Sequence, residues 1–253
     1  MRTQQFDLHD DIEERHWWFR GRRDIILGLA RTVAAPPGRV AMEIGCGTGG
    51  NLRALSTDYV VRGTDASADA VAVALSKVPS ADVRLSADPA GDADWLAESS
   101  IVLILDVLEH IEDDAGFLAR AVAGMRPGSH IVVAVPAGMH LWSPHDVAFG
   151  HYRRYDPTSL AALWRSLPVR ERLLSYYNSR LYPIIRAVRL VSRARGSAVG
   201  RAGTDFSMYP GPINRVLERI FAGELQSLER AMAGRGKPYS RGASLIALLE
   251  RTT

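Results

Sequence analysis

The chain has 253 residues, of which 47% are hydrophobic and 23% charged, and its net charge is +3. That balance excludes a disordered chain, and a single cysteine excludes an internal disulfide framework. No run of eighteen apolar residues is present to span a membrane, and Lys and Arg line no single helix face as a nucleic-acid surface would.

Met1 to Asp7 turns polar and acidic too early for a signal peptide. With the lone thiol, this predicts a reducing, cytoplasmic location. Residues 6–35 carry apolar side chains at three- and four-residue spacing (Ile25, Ile26, Leu29, Val33), which predicts helix, with Gly21 as a candidate break. Pro36-Pro37-Gly38 ends that pattern.

Strand and helix signals then alternate. Arg39 to Ile44 is the first expected strand, and Asn51 to Leu55 opens a helix. Tyr59 to Thr64 is the second strand, and Ser67 caps a helix to Lys77. Val83 to Leu85 gives a weak third strand. Ile101 to Leu105 is a continuous apolar run, as in a strand covered on both faces. A helix over Glu112 to Met125 and a strand over Ser129 to Val135 follow. This alternation requires parallel pairing through right-handed crossovers.

After residue 136 the pattern changes. Pro136 to Tyr155 is rich in aromatics and histidine. Thr158 to Ser166 reads as a helix, capped by Asp156 or Thr158, and Val169 to Tyr177 as a strand. Residues 178–195 form a helical segment mixing Leu, Ile and Val with Arg180, Arg186, Arg189, Arg193 and Arg195. Gly196 to Gly203 reads as a link, Pro212 to Met232 as a helix, and Ala243 to Leu249 as the last strand.

The chemistry concentrates at Glu43-Ile44-Gly45-Cys46-Gly47-Thr48-Gly49, where the first strand runs into a glycine turn. Glycine there permits positive φ and leaves no side chain between backbone and ligand. Asp65, at the end of the second strand, is placed to accept hydrogen bonds from ribose hydroxyls. Cys46 lies between two loop glycines with no base beside it in sequence, so packing is the expected role of its side chain. No residue set shows metal-ligand spacing, so no metal is expected.

The Glu43-x-Gly45-x-Gly47-x-Gly49 turn, Asp65, Asp88 after the third strand, and Asp106-Val107-Leu108-Glu109-His110 after the fourth occur in an order that resembles class I S-adenosylmethionine (SAM)-dependent methyltransferases. The resemblance implies a Rossmann-like, seven-stranded, mostly parallel α/β sheet with helices on both faces and an antiparallel last strand. It implies one methyltransferase domain over 1–253, with an N-terminal helical lid over 1–36 and a helical cap inserted over 178–235. The cofactor would be SAM and the product S-adenosylhomocysteine. Cofactor contacts would come from Glu43, Gly45, Cys46, Gly47, Gly49, Asp65, Asp88 and Asp106. His16-Trp17-Trp18-Phe19-Arg20-Gly21-Arg22 also resembles a subfamily of these enzymes. There Arg22 would pair with the methionine carboxylate, and Trp18 would lie over the sulfonium. The same aromatics equally suit the core face of an amphipathic helix.

In this fold the acceptor pocket follows the fifth strand, which singles out Leu141 to Tyr155. His151 titrates near neutrality and is the candidate base, with Asp146 orienting it or His145. Trp142, Arg153, Tyr155 and His110 are the substrate candidates. His151 and Arg153 equally suit structural hydrogen bonds.

The expected activity is methyl transfer to an O, N or C atom of a small, natural-product-like or lipid-like acceptor. Two rivals stand beside it. One is methylation of a membrane-attached glycan or polyprenyl carrier, with peripheral membrane contact through the basic helix. The other is a non-catalytic SAM- or nucleoside-binding protein. Sequence gives no oligomeric state.

Overall fold

The computed structural model describes residues 12–34, 39–196 and 208–253. The expected proline stop at 36–38, most of the 196–203 link and the first eleven residues lie outside these ranges. Seven strands form one sheet: β1 (Val40–Ile44), β2 (Val60–Asp65), β3 (Asp82–Leu85), β4 (Ile101–Leu105), β5 (His130–Pro136), β6 (Val169–Tyr177) and β7 (Ser244–Arg251). Their order is β3-β2-β1-β4-β5-β7-β6. β1 to β5 pair in parallel, whereas β7 runs antiparallel to both β5 and β6. This is the Rossmann-like arrangement the motifs imply.

Ten labelled helices surround the sheet: α1 (Trp17–Val33), α2 (Gly50–Leu55), α3 (Ala68–Lys77), α4 (Ala93–Glu98), α5 (Asp114–Gly124), α6 (Pro144–Ala148), α7 (Pro157–Ala162), α8 (Tyr182–Arg195), α9 (Gly211–Ala222) and α10 (Leu225–Met232). Ser67 caps α3 by accepting from the N–H of Ala70, and Asp156, rather than Thr158, caps α7.

The sheet separates two cores. Ile101, Leu103 and Leu105 of β4 point to one face, with Ile25, Leu29 and Phe221. Val102 and Ile104 point to the other, with Trp95, Phe117 and Leu160. The period of two persists in β4 although both faces are covered, so its sequence shows no alternation.

Three helix expectations change. Gly21 does not divide α1, which runs through it from an N-cap at His16. A Cβ at Gly21 would come within 2.9 Å of the Phe221 ring, so glycine lets α9 lie close. The helix expected over Pro212 to Met232 divides at Gly223-Glu224 into α9 and α10. Glu224 there accepts the backbone N–H groups of Ser179 and Arg180. The short helices α4 and α6 fall where no helix is expected, because each has too few residues to show a period.

The inserted helices reach back to the N-terminal helix. Asn214 Oδ1 accepts from Trp17 N at 3.0 Å, and its Nδ2 donates to Arg15 O at 2.7 Å. Trp17 and Tyr177 both pack on the Phe221 ring. These contacts join α1 and α9 above the end of β6.

Candidate active site

Strand order reverses on either side of β1, whose neighbours are β2 and β4. In open parallel sheets, ligands bind at the carboxyl ends of the strands beside such a reversal. A cavity of about 750 Å³ opens there. That volume falls within the roughly 300–1,000 Å³ of small-molecule sites. Its walls come from α1, the turn after β1, the segments after β4 and β5, and α8.

The glycine turn forms the floor. Gly45, Gly47 and Gly49 have φ of 74°, 53° and 80°. A Cβ on Gly47 would meet nothing within 4 Å, so that position faces open cavity. At Gly49 a Cβ would crowd Ala74 of α3 at 3.1 Å, and this glycine serves packing beneath the turn. Cys46 is buried, its Sγ close to Gly63, where a Cβ would approach it to 2.9 Å. Burial pushes the thiol well above its ordinary value, as a packing role requires.

Around this floor the acids divide. Asp65 lines the cavity and accepts from Gly47 N at 2.9 Å and from Ser67 N at 2.8 Å. Glu43 is 2% exposed and accepts from Asn51 Nδ2 at 2.7 Å. Its burial, chiefly, pushes the carboxyl up to about 8. Asp106 follows β4 in a left-handed conformation, φ 55°, and pairs with Arg22 Nη2 at 2.6 Å. Arg22 also lies 5.0 Å from the Trp18 ring centre. Asp88 is not brought to the cavity: it is exposed and pairs with Arg120. These residues fit the implied cofactor. The turn offers a cradle that any Cβ at residue 47 would enter, and one acid stands at the end of β2.

The other end of the cavity is built from the 109–110 and 145–151 segments. Asp146 is fully buried and is the N3 residue of a capping box on α6. It accepts from Ser143 N at 2.8 Å, Arg154 Nε at 2.8 Å and His151 Nδ1 at 3.0 Å. Burial alone would raise its pKa; the bonds from His151 and Arg154, with the charges of Arg154 and Arg189, hold it far below the usual carboxylate range. Asp146 itself lies behind the wall, while His151, His145 and His110 line the cavity. His145 is tilted against Phe149, and burial, then Arg189, lowers it to about 3, so it is neutral at physiological pH. Burial and the neighbouring His151 also lower His110, which stands edge-to-face with His151 at 4.7 Å.

Three substrate candidates lie outside this cavity. Tyr155 is 2% exposed and donates to Asp114 Oδ2 at 2.7 Å, within the core. Arg153 pairs with the same Asp114 at 2.9 Å. Trp142 borders a separate surface depression. Within this segment His151 and Arg154, three residues apart, line the cavity, whereas Arg153 and Tyr155 are held away from it by Asp114.

Sequence reasoning assigned no role to Glu109, Asn178 and Arg189, which line it. Glu109 and Asn178 are each 1% exposed, and their side-chain polar atoms have no hydrogen-bond partner among the described residues. Glu109 lies inside the motif after β4, and its adjacency to His110 is the signal the sequence carries. Glu109, His110 and His151 also bring metal-binding atoms within 4.8 Å of one another, a grouping that linear spacing does not show because 40 residues intervene.

Comparison with known proteins agrees with this geometry. A family described as "Methyltransferase domain" matches residues 15–180. A probable S-adenosylmethionine-dependent methyltransferase of Mycolicibacterium smegmatis is 31% identical over 130 residues, 49% of this chain and 48% of that protein. The chain thus spans about half the length of this curated relative. The SAM-dependent methyltransferase of Archaeoglobus fulgidus shares the fold, with TM-score 0.56 and 15% identity, covering 96% of this chain and 99% of that one. The plantazolicin methyltransferase BamL, solved with a triazolic desmethylPZN analogue and S-adenosylhomocysteine, has TM-score 0.57 and 13% identity, covering 99% and 91%. A Haloferax volcanii methyltransferase solved with its activator has TM-score 0.60 and 14% identity, covering 99% and 95%. With the strand order, the glycine turn and the family match in agreement, the chain belongs to the class I methyltransferase family, whose cofactor is S-adenosylmethionine.

Proposed function

We propose that the protein transfers the methyl group of SAM to a small, partly apolar acceptor. The observation that carries this is a single cavity with two chemically different ends: the glycine turn with Asp65, and the His151 group about Asp146. When bound, SAM supplies an electrophilic methyl on a cationic sulfur that keeps the electron pair of the broken bond.

The residues of the chain bind and orient. Asp65 would receive the ribose hydroxyls, and Gly45 to Gly49 would let backbone approach the cofactor. Trp18 and Glu43 complete that wall. Arg22 already neutralises Asp106. A methionine carboxylate would then share Arg22 with Asp106 rather than claim it alone.

At the acceptor end, Asp146 positions His151 by engaging its Nδ1, so that Nε2 presents a lone pair. That lone pair takes the acceptor's proton directly, or assists its loss at one remove through a bound cation. The acceptor's apolar part would meet Leu181, Ile184, Ile185 and Val188 along α8. We read α1 as the lid and α8 to α10 as the cap of this site, which limits the access of bulk water to the reacting atoms.

Membrane contact through α8 is the second reading, favoured by exposed Ile184, Leu190 and Val191. Two of the helix's arginines serve the fold instead: Arg189 reaches Ser143, and Arg193 reaches the carbonyls of His140 and Trp142. Among the described residues no helix is long and apolar enough to cross a membrane.

The test is calorimetric titration with SAM, followed by incubation with an acceptor library and mass-spectrometric detection of S-adenosylhomocysteine and a product 14 mass units heavier (roughly, for one CH₂). SAM binding without turnover on any acceptor would favour a sensor; absence of SAM binding would overturn the reading.

A further inference from the structure

Glu109 lies in the turn after β4, 1% exposed, with neither carboxylate oxygen hydrogen-bonded among the described residues. A buried carboxylate left without partners is destabilising unless something charged or donating meets it. The two guanidiniums whose charges reach it are both engaged by other acids. Arg22, the near guanidinium, is engaged by Asp106, and Arg154 by Asp146. Two imidazoles also stand near Glu109. The metal-binding atoms of Glu109, His110 and His151 all lie within 4.8 Å of one another, and all three residues line the cavity.

Both imidazoles are held from behind. His151 engages Asp146 through Nδ1, and Asp146 is itself fixed by Arg154 and the Ser143 N–H. His110 hydrogen-bonds the backbone of Phe149. Metal-binding histidines are oriented in this way, one ring nitrogen on a carboxylate or carbonyl and the other free for the ion. One carboxylate and two imidazoles suit a first-row divalent ion better than Mg²⁺ or Ca²⁺, which favour all-oxygen sets. Three protein donors at a cavity wall leave coordination positions open toward an acceptor.

We propose that Glu109, His110 and His151 bind a divalent first-row transition cation at the acceptor end of the cavity. Its use in catalysis rests on the methyltransferase reading above; its binding does not. Such a cation would polarise an acceptor hydroxyl and ease loss of its proton to water. His151 then acts as a ligand held by Asp146, and the acceptor atom is an oxygen.

The experiment uses the full chain, freed of metal by chelator, and titrates it with CoCl₂, MnCl₂ and ZnCl₂ by calorimetry, with visible spectra for Co²⁺. Expected is saturable binding of one equivalent, d–d bands, and a thermal midpoint that rises with the cation. Glu109→Gln and His151→Ala should each weaken binding by more than about tenfold. His140→Ala, outside the group, should not. Glu109→Gln keeps the side-chain volume nearly constant where no hydrogen bond is lost among the described residues, so circular dichroism should show it folded; His110→Asn is the second variant. No binding, or equal binding by wild type and Glu109→Gln, overturns the site. A protein that binds SAM but no cation loses this inference and keeps the proposed function. One that binds the cation at these residues yet never consumes SAM keeps the site and loses the function.

Discussion

The backbone N–H of Gly47 donates to the Asp65 carboxylate at 2.9 Å, tying the turn after β1 to the end of β2. The acid placed for the ribose therefore also shapes the glycine turn, and one substitution touches both.

Asp65→Ala should weaken SAM binding by about 1.5–3 kcal/mol, through loss of charge-assisted hydrogen bonds and a looser turn. Calorimetry on the folded variant checks this. Unchanged affinity would remove Asp65 from the site.

Gly47→Val should abolish SAM binding while the protein still folds. The position has φ 53°, and a side chain there would project into open cavity. A β-branched residue in that conformation costs about 1–2 kcal/mol of backbone strain, tolerable for the fold. Normal SAM binding by the variant would make the turn structural only.

Glu43 gives stability a pH dependence. Its carboxyl is pushed up to about 8, from an ordinary 4.5. Between these values the unfolded chain ionises while the folded chain keeps the proton, so stability falls as pH rises through that window. The slope reaches at most about 1.4 kcal/mol per pH unit for one proton, and flattens above the folded-state value. Glu43→Gln should lack this component. Urea denaturation of both proteins across pH 5 to 8 (roughly this window) tests it, and parallel curves would refute it.

Asp146→Asn should destabilise the fold by about 3–5 kcal/mol, because it leaves Arg154, 3% exposed, without its buried counter-charge. Denaturant unfolding at neutral pH measures the loss. A change within about 0.5 kcal/mol would show that Asp146 does not hold the loop.

His151→Ala should lower the methyl-transfer rate by about 10²–10⁴-fold with SAM affinity nearly intact. Single-turnover kinetics beside calorimetry separates the two. Rates near wild type would show that positioning alone suffices at the acceptor end.

What the sequence determined by itself was the local code and its order. Ile101 to Leu105 and Val169 to Tyr177 form the strands expected of them, the first from a continuous apolar run and the second from partial alternation. The glycines after β1 and Asp65 were legible because backbone conformation and strand-end position are local properties. Tertiary structure alone decided which side chains meet. Arg22 is engaged by Asp106, Asp88 stands apart on Arg120, and Tyr155 turns into the core toward Asp114. The group of Glu109, His110 and His151 is also a product of packing. Glu109 and His110 follow β4 and His151 lies in the segment after β5, and the parallel pairing of β4 with β5 brings the two segments together. A chain-order reading sees the spacing of these residues; the direction in which each side chain leaves its strand end is set only when the sheet forms.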